Sequence, residues 1–267
     1  MPTSRVRPPK LPTLPPPPAA KAPASGPARR VGRPAGRLPD ETRERILNAA
    51  EALFANNGYN GTSMRDIARG SGLQTAAVAY HYPSKEGLFD SVVSRRAVAM
   101  TAHREDALAQ LRVEAASAGG ADTPRPIALD RLVRAYLQPF VESASHGDPG
   151  WRHYAALMGR LANSTVGTEV ISRHYDRMAQ AYLHEFEVAL PGVAKATVVN
   201  GFTFMVASML ALCADSGRSQ RLLGQKAQSP AIHQRALRDA FGHLVDFLVA
   251  GFLALPAESP IPDRTRP

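Results

Sequence analysis

Residues 42 to 89, TRERILNAAEALFANNGYNGTSMRDIARGSGLQTAAVAYHYPSKEGLF, decide how this chain folds. The first part places Ile46, Leu47, Ala50, Leu53 and Phe54 on one helical face, at i, i+1, i+4, i+7 and i+8. Asp40, Glu41 and Glu44 put carboxylates in the first turn, where they meet the positive end of the helix dipole. Asn56, Asn57 and Gly58 end the run. Thr62 or Ser63 then caps a second, short helix with Met64, Ile67 and Ala68 turned inward, and Ser63 with Asp66 has the spacing of a capping box. Gly70 to Gly72 stop it. A third helix follows at once, from Gln74 to about Tyr82, before Pro83 and Ser84 break and recap the chain into a fourth helix starting at Lys85. Helix, tight glycine turn, helix over residues 63–82 is the unit that major-groove readers use.

Outward toward the N-terminus the composition changes. Residues 1–39 hold 12 of the 23 prolines and eight basic residues (Arg5, Arg7, Lys10, Lys21, Arg29, Arg30, Arg33, Arg37) with no acid. Such a segment has no apolar face to bury and is expected to be a disordered, partly polyproline II arm. The arm carries +8 of the net +9, leaving 24 basic residues against all 23 acids in the remainder. A polycationic arm calls for a polyanion, either nucleic acid or an anionic membrane surface. Pro and Arg interrupt every apolar stretch before residue 45, which argues against a secretory signal. The single cysteine, Cys213, excludes an internal disulfide and a Cys-rich zinc site, fits a reducing cytoplasm, and reads as a buried structural thiol. Two Asn-x-Ser/Thr sequons, at Asn60 and Asn163, therefore read as chance.

Outward toward the C-terminus the periodicity stays helical, and nothing alternates as a strand would. Breaks are expected at 119–126, 147–150, 163–167, 191–192 and 215–230, with a frayed tail over 256–267. The apolar run from Val193 to Ala214 approaches membrane-spanning length, but Lys195, Thr197, Asn200 and Ser208 favour a buried helix of an all-helical protein. The expected fold is all-α, with no internal repeat. Its parts are the arm (1–39), a helix-turn-helix domain (40–100), a second helical domain (101–255) and the tail.

The spaced matches in residues 42–89 resemble the DNA-binding domain of TetR-family regulators: Ile46, Leu47, Ala50 and Phe54, then Gly58, Thr62-Ser63, Ile67-Ala68, Gly72, Tyr80-His81-Tyr82, Ser84-Lys85-Glu86 and Leu88-Phe89. Ala79 departs from the pattern, in which many members carry a phosphate-contacting Tyr; here the aromatic comes one step later, at Tyr80. The resemblance implies a dimer on a DNA palindrome, with Arg65 among the DNA-facing residues. It also implies a small hydrophobic effector bound by the C-terminal helices, whose spacing resembles that of members binding acyl or other hydrophobic effectors, and release of the operator when that effector binds. The chemistry agrees. Thr62 or Ser63, and Lys85 at the fourth helix, offer hydroxyl, ammonium and backbone N–H groups to phosphates. Gln74 suits adenine, while Thr75, Ala76 and Ala77 suit thymine methyls. Tyr80 and His81 fall where the family addresses the backbone, although His81 also suits a capping or packing role; Tyr82 reads as a core aromatic. The Gly32-Arg33-Pro34 core of the arm resembles minor-groove segments, with a solvated tail as the equal alternative.

In the second domain Trp151, Tyr154 and Met158, then Tyr175, Met178 and Tyr182, form apolar faces that suit either core or an effector cavity. His153, Arg160, Asn163 or His174 would orient a guest there. Two helices from about Val193 and Ala231 carry small residues that permit close approach, and the resemblance assigns them to a four-helix dimer interface. No HExxH, nucleophile elbow, phosphate loop or CxxC is present, so no metal or cofactor is expected. The competing classes are an effector-independent DNA-binding protein and an enzyme whose site only folding assembles.

Overall fold

The computed structural model describes residues 38–118, 125–145, 148–162, 164–214, 217–224 and 230–257, so the arm through residue 37, with Arg33, lies outside the described residues. Helix α1 (Leu38–Asn57) starts two residues before the expected Asp40 and takes in Pro39, because a first-turn proline gives up only an N–H that has no helical partner. Ile46, Leu47, Ala50 and Phe54 are buried, and Phe54 packs edge-on against Phe89 at 4.9 Å. Gly58 turns the chain at φ +74°, a conformation that side chains resist. Helix α2 (Met64–Ser71) ends at Gly72, whose left-handed backbone turns directly into α3 (Thr75–His81). Gln74 is the N-cap of α3, one position before the helix proper.

Helix α4 (Lys85–Ala118) runs unbroken through position 100, about 50 Å long, and is packed by α1, α5 (Leu129–Ser145) and α7 (Thr165–Ala189). Asp148 caps α6 (Pro149–Leu161), and Ser164 caps α7. Helices α8 (Lys195–Ala214) and α10 (Pro230–Leu253) complete the bundle. Among the described residues the chain is helical with no named strand, and they pack as one unit.

Three expectations need correction. The break over 215–230 contains a short helix, α9 (Arg218–Leu222), because Gly217 supplies the left-handed entry. The tail is held at its start, where Ala257 forms an antiparallel bridge with Val193. Helix α8 is long and apolar enough to cross a membrane, yet it is not a buried helix. Val198, Phe202, Met205 and Met209 are buried while Phe204 stands 66% exposed on the other side. Cys213 is buried, and burial pushes its thiol up to about 12, so it stays protonated.

Candidate nucleic-acid interface

The start of α2 is built by a complete capping box. The Ser63 hydroxyl accepts from the Asp66 amide (3.1 Å) and donates to the Asp66 carboxylate (2.6 Å), which also accepts from the Ser63 amide (3.1 Å). These bonds from Ser63, followed by the Arg69 charge, hold the Asp66 carboxyl below its usual range. The box leaves the Met64 and Arg65 amides over as donors, with the Arg65 side chain exposed beside them. Thr62 does something else. It is 2% exposed, and its hydroxyl donates inward to the carbonyls of Gly58 (2.9 Å) and Leu53 (3.2 Å). The expectation that Thr62 offers a hydroxyl to phosphate is therefore corrected, because the hydroxyl stitches the α1–α2 turn.

Val78 anchors α3 to the core and leaves the opposite side open. Gln74, Thr75, Ala76, Ala79 and Tyr80 are exposed, Tyr80 by 85%, while Ala77 is half-buried. His81 is half-buried with its ring edge-on to Tyr80 at 5.3 Å. Tyr82 is buried with the Arg43 guanidinium 5.7 Å from its ring, the core role read for it. At the start of α4 the Ser84 hydroxyl accepts from the Gly87 amide (3.0 Å), and the Lys85 ammonium lies 4.1 Å over the Tyr59 ring. Tyr59 thus fixes a positive charge beside that helix start. The α2 start, the open side of α3 and the α4 start come from consecutive elements, and Arg45 of α1 donates to the Ser71 carbonyl (2.6 Å) to brace the turn between α2 and α3.

The expected effector residues divide. Tyr154, Met158, Tyr175, Met178 and Tyr182 are buried. The Tyr154 hydroxyl donates to the Val93 carbonyl (3.2 Å) and shares a 2.5 Å bond with the Tyr175 hydroxyl. The Tyr182 hydroxyl donates to the Arg104 carbonyl (2.9 Å). Trp151 is half-buried and meets them through Tyr154, ring edge-on at 5.9 Å. It lines a cleft of about 620 Å³ with Glu51, Arg95, Arg96 and Asp148, and the Arg96 guanidinium lies 4.7 Å over its ring. In that cleft the buried Glu51 receives both Arg95 and Arg96, and Arg96 also bonds Asp148 (2.8 Å). A Cβ at Gly150 would meet the ends of the Arg96 and Glu51 side chains, so a side chain there would displace part of this cluster.

Two of the groups expected to orient a guest bond elsewhere. Arg160 donates to the Asn56 carbonyl (3.2 Å), and His174 bonds Asp90 (3.0 Å). Burial opposes the ionised Asp90, but hydrogen bonds from His174 and Arg173 outweigh it and hold the carboxyl below its usual range. His153 lines the Trp151 cleft, and Asn163 lies outside the described residues. Sequence reasoning missed Glu51, Arg95, Arg96 and Arg104. Their only signal was a charged residue inside an apolar helical face, which solvent exposure explains equally well.

Two family models match the chain. "Bacterial regulatory proteins, tetR family" covers residues 46–92, and "Tetracyclin repressor-like, C-terminal domain" covers 134–251. Curated relatives include the probable HTH-type transcriptional regulator YttP of Bacillus subtilis (36% identical over 53 residues, 20% of this chain) and the regulator UidR of Escherichia coli K12 (36% over 52 residues, 20%). The HTH-type transcriptional repressor BepR of Brucella suis is 38% identical over 55 residues, 21% of this chain. The matched segment spans 26% of each of these relatives. Among solved structures, the hemolysin II transcriptional regulator HlyIIR is 14% identical with a TM-score of 0.52, covering 79% of this chain and 97% of that one. The ketosteroid transcriptional regulator KstR2 of Mycobacterium tuberculosis is 18% identical with a TM-score of 0.51, covering 80% and 98%. These two share the fold along nearly their whole length. With both halves of the chain matched by models of one kind, and the helix-turn-helix built as they require, the protein belongs to the TetR family of bacterial regulatory proteins.

Proposed function

We propose that this protein is a ligand-responsive transcriptional regulator rather than an enzyme. In this reading it acts in the cytoplasm and binds a palindromic operator as a homodimer, repressing until a small effector releases it. The observation that carries the reading is the open side of α3, with Gln74, Thr75, Ala76 and Tyr80 in solvent between two capped helix starts. Helix starts with spare amides suit phosphates, and a small-residue first turn lets the backbone approach base edges. Repression is supported by the relative BepR, whose name describes a repressor. Dimerisation is supported by α8 and α10, which leave Phe204 and Phe247 exposed by 66% and 74%, an unusual exposure for large rings. Two recognition helices on a palindrome must sit about 34 to 36 Å apart, or a multiple of that.

The release mechanism follows from connectivity. Helix α4 begins at Lys85 directly after α3 and continues into the buried tyrosines of the C-terminal bundle. The Glu51–Arg96–Asp148 ion pairs tie α1 to α4 and α6. An effector that moves α4 or α6 would change the spacing of the two reading heads, with Trp151, Tyr154, Met158, Tyr175, Met178 and Tyr182 as candidate contacts. It can do so only by binding the displaced state more tightly. A differential of about 1 to 3 kcal/mol weakens operator binding roughly 5- to 150-fold, and operator must weaken effector by the same factor. The test is a footprint on DNA flanking the protein's own coding region, repeated with candidate effectors. A protected palindrome whose protection an effector removes is expected; protection that no effector relieves would favour an effector-independent DNA binder.

A further inference from the structure

Arg104 of α4 is 2% exposed in the middle of the C-terminal bundle. Its Nε–H donates to the Tyr136 carbonyl of α5 (2.7 Å), a terminal N–H reaches the Met209 sulfur of α8 (3.6 Å), and the guanidinium lies 3.9 Å over the Tyr136 ring. A guanidinium has five N–H donors and cannot shed its proton inside a protein. Among the described residues Arg104 has no ion pair and no further acceptor. Acids on α4 and on the packed α7 are engaged elsewhere: Glu105 with Arg177, Glu185 with Arg112, and exposed Asp176 with Ser172. One neutral carbonyl, a weak sulfur acceptor and a ring face are poor compensation for a full charge taken out of water.

The groups around it are buried phenols. Burial raises Tyr136, Tyr154, Tyr175 and Tyr182 above the usual phenol range, Tyr175 to about 12, and the Arg104 charge pulls each of them back only partly. They keep their protons at neutral pH, so none is a counter-ion. The Tyr154 and Tyr182 protons go to the Val93 and Arg104 carbonyls and the Tyr175 proton to the Tyr154 oxygen, so these phenols surround a cation that lacks its anion without answering its charge.

We propose that Arg104 anchors an anionic effector group, a carboxylate on an apolar body, seated against Tyr136, Tyr154, Tyr175 and Tyr182. This rests on the effector reading above and names the effector's chemical class. The planar guanidinium fork matches a carboxylate, the tyrosine rings give apolar walls, and Met178 and Met209 are the flexible side chains able to make room for an apolar body. Arg104 shares α4 with Lys85, about five turns away, so an anion drawn to it acts on the same rigid helix that starts at the DNA-facing surface. The competing role is structural: Arg104 ties α4 to α5 through the Tyr136 carbonyl.

Full-length protein and the Arg104→Met and Arg104→Lys variants are compared by thermal melting and calorimetry, with decanoate and the neutral decanol as probes. Decanoate is expected to bind wild type well ahead of decanol and to lose about 10- to 150-fold in Arg104→Met, with Arg104→Lys between the two. The unliganded Arg104→Met protein is expected to melt no lower than wild type, because removing an uncompensated buried charge does not destabilise. Equal binding of acid and alcohol by wild type, binding of neither, acid binding that survives Arg104→Met, or a lower melting temperature for that variant would each overturn the assignment. Failure of the wider reading looks different: decanoate bound through Arg104 with operator retention unchanged is an anion site that does not control DNA.

Discussion

At the scale of single residues, neighbours in sequence divide their labour by which way they face. Thr62 and Ser63 are adjacent hydroxyls at one helix start, yet Thr62 bonds inward to two carbonyls while Ser63 closes the capping box. Thr62→Val should therefore cost about 1 kcal/mol of stability by removing those hydrogen bonds and leave the salt dependence of DNA binding untouched. Chemical denaturation and a binding titration over salt check both halves. Gln74 and Lys85 separate in the same way. Gln74→Ala should relax preference at one base position of each half-site by about 1 to 3 kcal/mol, whereas Lys85→Ala should weaken all sequences alike. Binding to a library of single-base operator variants distinguishes them, and the reverse pattern would show the two roles exchanged.

At the scale of elements, the seams between helices carry ion pairs that no local pattern announces. Asp90 of α4 faces Arg173 and His174 of α7, and their hydrogen bonds hold its carboxyl below the ordinary 3.8. A depressed carboxyl adds stability that is present above its unfolded value and is lost as pH falls through the folded one. Wild type should accordingly lose stability on going from about pH 6 down to pH 3, and Asp90→Asn should lose less over that window. Melting curves at both pH values give the comparison; an unchanged difference would mean that the α4–α7 pair contributes nothing to folding. The Glu51 cluster differs because it is more deeply set and joins three helices, with Gly150 leaving the space that the Arg96 and Glu51 side chains occupy.

At the scale of the whole molecule, two features extend beyond the single chain. Phe204 on α8 and Phe247 on α10 sit in solvent, although their helices bury apolar faces on the other side. Phe204→Glu with Phe247→Glu should halve the mass seen by sedimentation and remove operator binding while circular dichroism stays helical; a dimer that persists would place the interface elsewhere. The basic residues before Asp40 are the second feature. Deleting residues 1–36 should preserve the fold while lowering both DNA affinity and its salt slope, since each phosphate that the arm no longer neutralises keeps its counterion. Identical slopes for the two lengths would leave the arm a bystander.

The residues from Asp40 to Phe89 made the helix-turn-helix legible without any structure. Helix periodicity, capping-box spacing and turn glycines are all written within a few residues of one another, and local backbone physics reads them the same way wherever they occur. The helical punctuation of the C-terminal bundle was legible for the same reason, apart from the five residues of α9, too short to show a period. Tertiary structure alone decided which polar groups meet. Arg104 finds the α5 carbonyl of Tyr136, Glu51 finds Arg95 and Arg96, and Trp151 packs between Tyr154 and the Arg96 guanidinium. Those partners lie tens of residues apart, and a charge on an apolar face looks the same in sequence whether it ends in water or among phenols. Burial, which turns an ordinary arginine into an unanswered charge, is a property of the packed bundle.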